Sequence, residues 1–144
     1  GAAFGLVQLE ILKKTIQTRQ ENFTLQTKFF NKYSEFFECP IEKSNVSTAW
    51  LAFPILIKKT APFKRKEFQI YLEKENIQTR VVFTGNVLRQ PMMLNQNYKK
   101  SEKGYPNADA IMERGVLLPL HHAMTGEMFQ RLHLTIERFI KRFN

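Results

Sequence analysis

The sequence predicts a small α+β domain, and three observations carry the prediction. A proline-free stretch from Ala2 to about Phe37 repeats apolar residues at helical spacing. Short runs of strand-forming residues at 49–57, 77–83 and 116–120 then alternate with helical segments. A final segment opened by Thr125 has the cap and the periodicity of an amphipathic helix. The chain's 144 residues are a one-domain length, and 43% hydrophobic with 24% charged residues is the composition of a packed core rather than of disorder.

In the first segment the apolar positions are Phe4, Val7, Ile11, Leu12, Ile16 and Phe23, then Leu25, Phe29, Phe30 and Tyr33. They mark a helical stripe, either unbroken or bent into a pair of helices near Asn22, Phe23 and Thr24. Unbroken, about 32 residues at 1.5 Å each make a rod of about 48 Å. A compact chain of this length has a radius of gyration of about 14–15 Å, so such a rod overhangs its own core. Ala2, Ala3 and Gly5 allow close backbone approach at its start. Residues 1–38 are therefore expected to link to a further, larger domain, with residues 39–144 forming the small α+β domain itself.

The elements of that domain follow in order. Pro54 cannot donate to a ladder, which places the 49–57 strand at an edge or at a bulge. Pro62 precedes a helix over 63–76 whose Phe68, Tyr71 and Leu72 turn inward. The strand at 77–83 alternates, with Gln78, Arg80 and Val82 on one face and Ile77, Thr79, Val81 and Phe83 on the other; Gly85 and Asn86 end it. Residues 87–106, punctuated by Pro91, Gly104 and Pro106, read as a loop long enough for a lid or a binding role. Asn107 is expected to cap a short helix that Gly115 ends, and residues 116–120 form a buried strand running into His121 and His122. In the last helix Phe129, Leu132, Ile136, Phe139 and Phe143 make the buried face, while Glu127 and the pair Lys141 and Arg142 complement its dipole. The sheet is expected to be mostly antiparallel.

Little in these residues points to chemistry run by this chain alone. Its six glycines have no phosphate-loop or dinucleotide spacing. His121 and His122 are neighbours, which on a strand point apart and make a poor metal pair, so no metal is expected; one is expected to pack and the other to line a surface or cleft. His133 beside the last helix's apolar face reads as structural, and a lone Cys39 forms neither an internal disulfide nor a thiolate metal site. Arg80, Arg89 and Arg114 are suited to phosphate or carboxylate recognition, with a solvated or ion-paired arginine as the competing reading. With 22 Lys and Arg against 13 acids the net charge is +9, and Asp109 is the sole aspartate. That balance raises phosphate-bearing partners, and a stand-alone basic module for nucleic acid or an acidic partner is the alternative function. However, Lys13-Lys14, Lys58-Lys59, Lys64-Arg65-Lys66 and Lys99-Lys100 are scattered and read as solvated faces, which makes nucleic acid an unlikely partner. The longest apolar run, nine residues, is too short to span a membrane, and the first residues lack a signal-peptide pattern, so a cytoplasmic location is expected.

Three stretches together resemble one family. Residues 1–9 (Gly-Ala-Ala-Phe-Gly-Leu-Val-Gln-Leu) with Arg19-Gln20-Glu21-Asn22 resemble the helix leaving the large domain of sugar-nucleotide aminotransferases of the DegT/DnrJ/StrS type, which use pyridoxal phosphate (PLP). Ala61-Pro62-Phe63-Lys64-Arg65, then Thr79-Arg80-Val81-Val82-Phe83-Thr84-Gly85-Asn86-Val87-Leu88-Arg89-Gln90-Pro91, resembles the branch containing the CDP-4-keto-6-deoxyglucose 3-dehydrases. Asn107-Ala108-Asp109 and Met112 through His122, followed by Met124-Thr125, resemble the family's C-terminal motif. Lys64 stands where relatives usually carry a capping Thr, although Glu67 remains available to the backbone there.

The resemblance implies the C-terminal small domain of a fold-type-I PLP enzyme. The Schiff-base lysine, or the histidine replacing it in the dehydrases, and the cluster-ligating cysteines would lie in the large domain; Cys39 matches none of them. PLP is expected in the full-length protein, a homodimer acting on a 4-keto-6-deoxy nucleotide sugar, and not in this piece alone. The implied substrate contacts are Arg80, Phe83, Asn86 and Arg89 around one turn, with His121 and His122 at a strand end; no catalytic residue is expected here.

Overall fold

Apolar residues at every second position of two short segments set the centre of the fold. In the computed structural model, which describes residues 2–143, Phe53, Ile55 and Ile57 of one strand and Val116 and Leu118 of another are buried. Gly1 and Asn144, the outer limits of the two expected segments, lie outside the described residues. The strands are β1 (Phe37–Glu38), β2 (Phe53–Ile57), β3 (Arg80–Val81) and β4 (Gly115–Leu118). They pair antiparallel throughout, in the order β1-β2-β4-β3. With helices α1 (Ala2–Asn31), α2 (Arg65–Lys74), α3 (Pro106–Arg114) and α4 (Gly126–Ile140), the domain is α+β as expected.

Aromatic rings in contact, most of them tilted or edge-to-face, join the buried side of the sheet to the helices. Phe30 of α1 lies 5.5 Å from Phe53 and 5.2 Å from Phe37, Phe37 lies 5.5 Å from Phe68 of α2, and Phe68 lies 5.3 Å from Phe139 of α4. Aromatic pairs at such separations contribute about 0.5–1.5 kcal/mol each beyond the area they bury. The other side is less covered. Register aligns Pro54, Leu117 and Arg80 across three strands, the first two half-buried and Arg80 exposed.

Helix α1 runs unbroken through Asn22, Phe23 and Thr24, so the bent-pair alternative is set aside; its 30 residues make a rod of about 45 Å. It ends at Asn31 rather than near residue 38, because Phe36 and Phe37 turn into the core and β1 pairs Phe37 with Ile57. Packing is confined to the C-terminal half, where Asn22, Phe23, Gln26, Phe29 and Phe30 are buried. Residues 2–14 are all exposed.

Strand boundaries differ from expectation for local reasons. Residues 49–52 leave the strand because Trp50 stacks on Phe23 at 4.5 Å and donates from Nε1 to Glu42 Oε1 at 2.7 Å. Strand β2 is interior, not an edge, yet β1 reaches only Leu56 and Ile57, so beside Pro54 only β4 is paired. Strand β3 is shortened from both ends. Ile77 N donates back to Leu72 O and Thr79 N to the Glu73 carboxylate at 2.6 Å, holding the chain to α2, and Phe83 turns it away with a φ of +47°.

Helix α3 begins at Pro106, with Tyr105 rather than Asn107 at the cap, since proline's fixed φ suits a first helical position. Lys64 caps α2 without a hydroxyl, and Glu67 Oε2 accepts from Lys64 N at 2.9 Å as expected. Thr125 Oγ1 accepts from Met128 N at 3.3 Å at the start of α4, whose Phe129, Leu132, Ile136 and Phe139 are buried; Phe143 is half-buried. At the join of α3 and β4 a Cβ on Gly115 would stand 2.6 Å from Ile111 O, so the chain passes there only as glycine.

Candidate functional site

The turn after β3 is built by residues with little freedom. Gly85, at φ +64°, closes it by donating from N to Val82 O at 3.0 Å, and a Cβ there would stand 2.3 Å from Met112 Cβ. Asn86 is 3% exposed. Its Oδ1 accepts from Leu88 N at 3.0 Å, capping the 3-10 turn Val87–Arg89, and its Nδ2 donates to Asp109 Oδ1 at 2.7 Å. Arg89 Nε and Nη2 each lie 2.9 Å from an Asp109 oxygen. These partners, Arg89 foremost and then Asn86, hold the Asp109 carboxyl down at about 2. Gln90 Nε2 adds a bond to Thr84 O at 3.0 Å. The segment is thus clamped to the first turn of α3.

The clamp presents Phe83. Its ring is 84% exposed, and its backbone sits in the left-handed region that costs a bulky residue about 1–2 kcal/mol. Such strained positions persist where the surrounding structure holds them, and they cluster at functional sites. Phe83 and Arg80 line one open groove of about 1010 Å³ whose far wall is α2, through Lys66, Gln69 and Glu73. Arg80 also borders a second cavity of about 410 Å³ with Gln78, Leu117, Met128 and Arg131.

The expected site residues therefore separate by role. Arg80 and Phe83 face open space, whereas Asn86 and Arg89 are engaged with Asp109 and shape the turn. Arg114 is also engaged, donating from Nη1 to Ile57 O at 2.6 Å. His121 and His122 are not brought to this turn: Gly115, beside Val82, opens β4, and the two histidines follow its other end. Nor do they point apart. They lie beyond the strand in a turn, with rings 4.0 Å apart. Asn22 Nδ2 donates to His121 O at 3.1 Å, His121 is exposed and His122 half-buried. Burial, then His121 and Arg19, push the His122 pKa down. His133 packs as expected, stacked on Phe29 at 3.8 Å with Nε2 2.9 Å from Gln26 Oε1, and burial lowers it to about 4.

Asp109, on which the turn depends, was not among the expected site residues. Its being the sole aspartate was visible in the sequence; its pairing was not. Among the described residues, no group of three or more potential metal ligands is present.

The fold is that of known aminotransferase-type chains. The structure superposes with a TM-score of 0.78 on the Escherichia coli GDP-4-keto-6-deoxy-D-mannose-3-dehydratase, solved with bound hydrated PLP, at 23% identity, covering 92% of this chain and 33% of that one. With the aminotransferase TlmJ from Streptoalloteichus hindustanus the TM-score is 0.79 at 16% identity, over 99% of this chain and 36% of that one. Residues 1–137 match the DegT/DnrJ/EryC1/StrS aminotransferase family, and the chain belongs to it. Among curated relatives it is 30% identical to the lipopolysaccharide biosynthesis protein RfbH of Salmonella typhimurium, over 96% of this chain and 31% of RfbH. It is 24% identical to the GDP-4-keto-6-deoxy-D-mannose 3-dehydratase of Yersinia pseudotuberculosis, over 90% of this chain and 32% of that protein. The chain spans about a third of the length of these relatives.

Proposed function

We propose that the chain is the C-terminal small domain of a PLP-dependent enzyme that transaminates or C3-dehydrates a 4-keto-6-deoxy nucleotide sugar for surface-polysaccharide or deoxysugar synthesis. The whole enzyme is a cytoplasmic homodimer in this reading. The names of its relatives, a lipopolysaccharide biosynthesis protein and a 4-keto-6-deoxy sugar 3-dehydratase, support the substrate class. The exposed apolar side chains of the first half of α1, among them Phe4, Leu6, Leu9 and Leu12, support docking on a larger domain. No described helix is long and apolar enough to cross a membrane.

The carboxylates beside the Arg80–Phe83 turn are not free to partner PLP. A pyridinium nitrogen calls for a partner such as a carboxylate, whereas Asp109 is engaged by Arg89 and Asn86, and Glu73 by Thr79. Electron-sink chemistry is accordingly assigned to the larger domain. This chain's part is to bind the substrate and close the cleft.

The observation that carries the reading is Phe83, exposed at φ +47° beside Arg80 on a clamped turn. In the full-length enzyme, Phe83→Ala and Arg80→Gln are expected to lower kcat/KM on a 4-keto-6-deoxy nucleotide sugar at least tenfold, with unchanged circular dichroism. Parental kcat/KM in both variants would overturn the reading.

A further inference from the structure

The lysine and arginine runs that read as solvated faces converge in space. A cavity of about 380 Å³ between the end of β2 and the start of α2 is walled by Lys58, Lys59, Lys64, Arg65, Lys66 and Arg114. Glu113 is the one acid in its wall. Glu67 stands nearby in the first turn of α2, with its carboxylate accepting from Lys64 N. Among the described residues the one ion pair is Arg89–Asp109, so none of the six cations has a carboxylate oxygen within 4.0 Å. Six cations around one acid leave the wall with an excess of positive charge, and a bound anion relieves that repulsion.

Two of the six are held in place by backbone carbonyls. Arg114 Nη1 donates to Ile57 O at 2.6 Å and Arg65 Nη1 to Met112 O at 2.7 Å, and both residues are half-buried. Each bond uses one of a guanidinium's five donors and fixes the plane of the rest. Arg114 Nε is buried without a partner. Oriented guanidinium forks with donors to spare, beside four lysines, are suited to phosphoryl oxygens.

We propose that this cavity binds a small phosphoryl anion, as free diphosphate or as the phosphate end of a nucleotide. It meets the Arg80–Phe83 groove at Lys66, which borders both, and does not rest on the nucleotide-sugar reading. Arg65 is the wall shared with the cavity beneath Thr84 and Gly85.

Calorimetric titration of the 144-residue chain with sodium diphosphate and with ADP in 150 mM NaCl tests it. Saturable one-to-one diphosphate binding is expected, with the Arg114 Nε–H resonance shifting over the same titration. The Lys58→Gln, Lys59→Gln, Lys64→Thr triple variant, which leaves the shared Lys66 in place, is expected to bind at least tenfold more weakly. A control of equal charge change at Lys13, Lys14 and Lys99, each to Gln, is expected to stay within twofold of the parent. Equal affinities for diphosphate and ADP uphold the site as one for the phosphoryl group alone; tighter ADP binding upholds it as one for a nucleotide. Absence of saturable heat with both anions, or an equal loss in the control, overturns the proposal.

Discussion

Arg89 meets Asp109 fork to fork, Nε and Nη2 each 2.9 Å from a different carboxylate oxygen, across twenty residues of chain. The pair is open to solvent, so its value lies in geometry more than in energy. It fixes where the segment after Phe83 leaves the domain.

The carboxyl held at about 2 gives this clamp a pH dependence. A folded-state pKa below the ordinary 3.8 contributes stability that is complete above that value and lost as pH falls towards 2. Asp109→Asn is expected to remove this component. The stability difference between parent and variant should therefore shrink between about pH 4 and pH 2, as followed by urea denaturation at steps across that range. A constant difference would sink the assignment.

Asn86 differs from Arg89 because it is buried and supplies both a cap and a donor. Asn86→Ala is expected to cost about 1–2 kcal/mol. Arg89→Gln should cost clearly less, since that arginine is exposed. Equal losses in chemical denaturation would contradict the division of roles.

Gly85→Ala meets two obstacles, a φ of +64° and Met112 Cβ at 2.3 Å. A destabilisation above about 1 kcal/mol is expected. Met112→Ala should not rescue it, because alanine keeps the Cβ at 2.3 Å and the Cα at 2.5 Å from the added carbon. Rescue in the double variant, measured by thermal unfolding, would show that side-chain crowding was the whole effect.

His133 titrates against the fold. Neutral His133 donates from Nε2 to Gln26 Oε1, because the Gln26 amide nitrogen is committed to Pro119 O. With a folded pKa of about 4 against an ordinary 6.5, the unfolded chain takes up the proton first, so stability falls as pH drops from about 6.5 to 4 and then levels. His133→Phe is expected to flatten this dependence; an unaltered slope in denaturation at pH 7, 5.5 and 4.5 would refute it.

The first half of α1 gives a prediction of the opposite kind. Phe4→Ser with Leu9→Ser alters side chains 71% and 65% exposed, so the free energy of unfolding should stay within about 0.5 kcal/mol. Self-association of the chain should fall, as sedimentation velocity would show. Loss of stability would mean that these residues pack on this domain after all.

What the sequence made legible was whatever burial writes at a regular period. The inward face of α4 was readable because one side of the helix meets the core over several turns, and the stripe of α1 because its apolar spacing continues past the part that packs. Strand β1 was not, since two residues carry no period and exist as a strand only by pairing with Leu56 and Ile57. Arg80 and Phe83 were visible as a motif, but the positive φ of Phe83 was not, because nothing local favours it. That the lysines at 58, 59, 64 and 66 share one cavity was hidden for the same reason: it is the return of the chain through Arg114 that completes its wall.

The unbroken helix α1 also sets a mechanical ratio. Its last third is fixed among aromatic rings, while residues 2–14 are all exposed. From Asn22 back to Ala2 is a stiff arm of about 30 Å, so a tilt of about 5° at the packed end moves the free end by about 2.6 Å. A partner bound at Phe4 and Leu9 would therefore have leverage over the whole sheet, and a repacking too small to notice at Phe23 becomes, at the other end, a shift wider than a carbon–carbon bond.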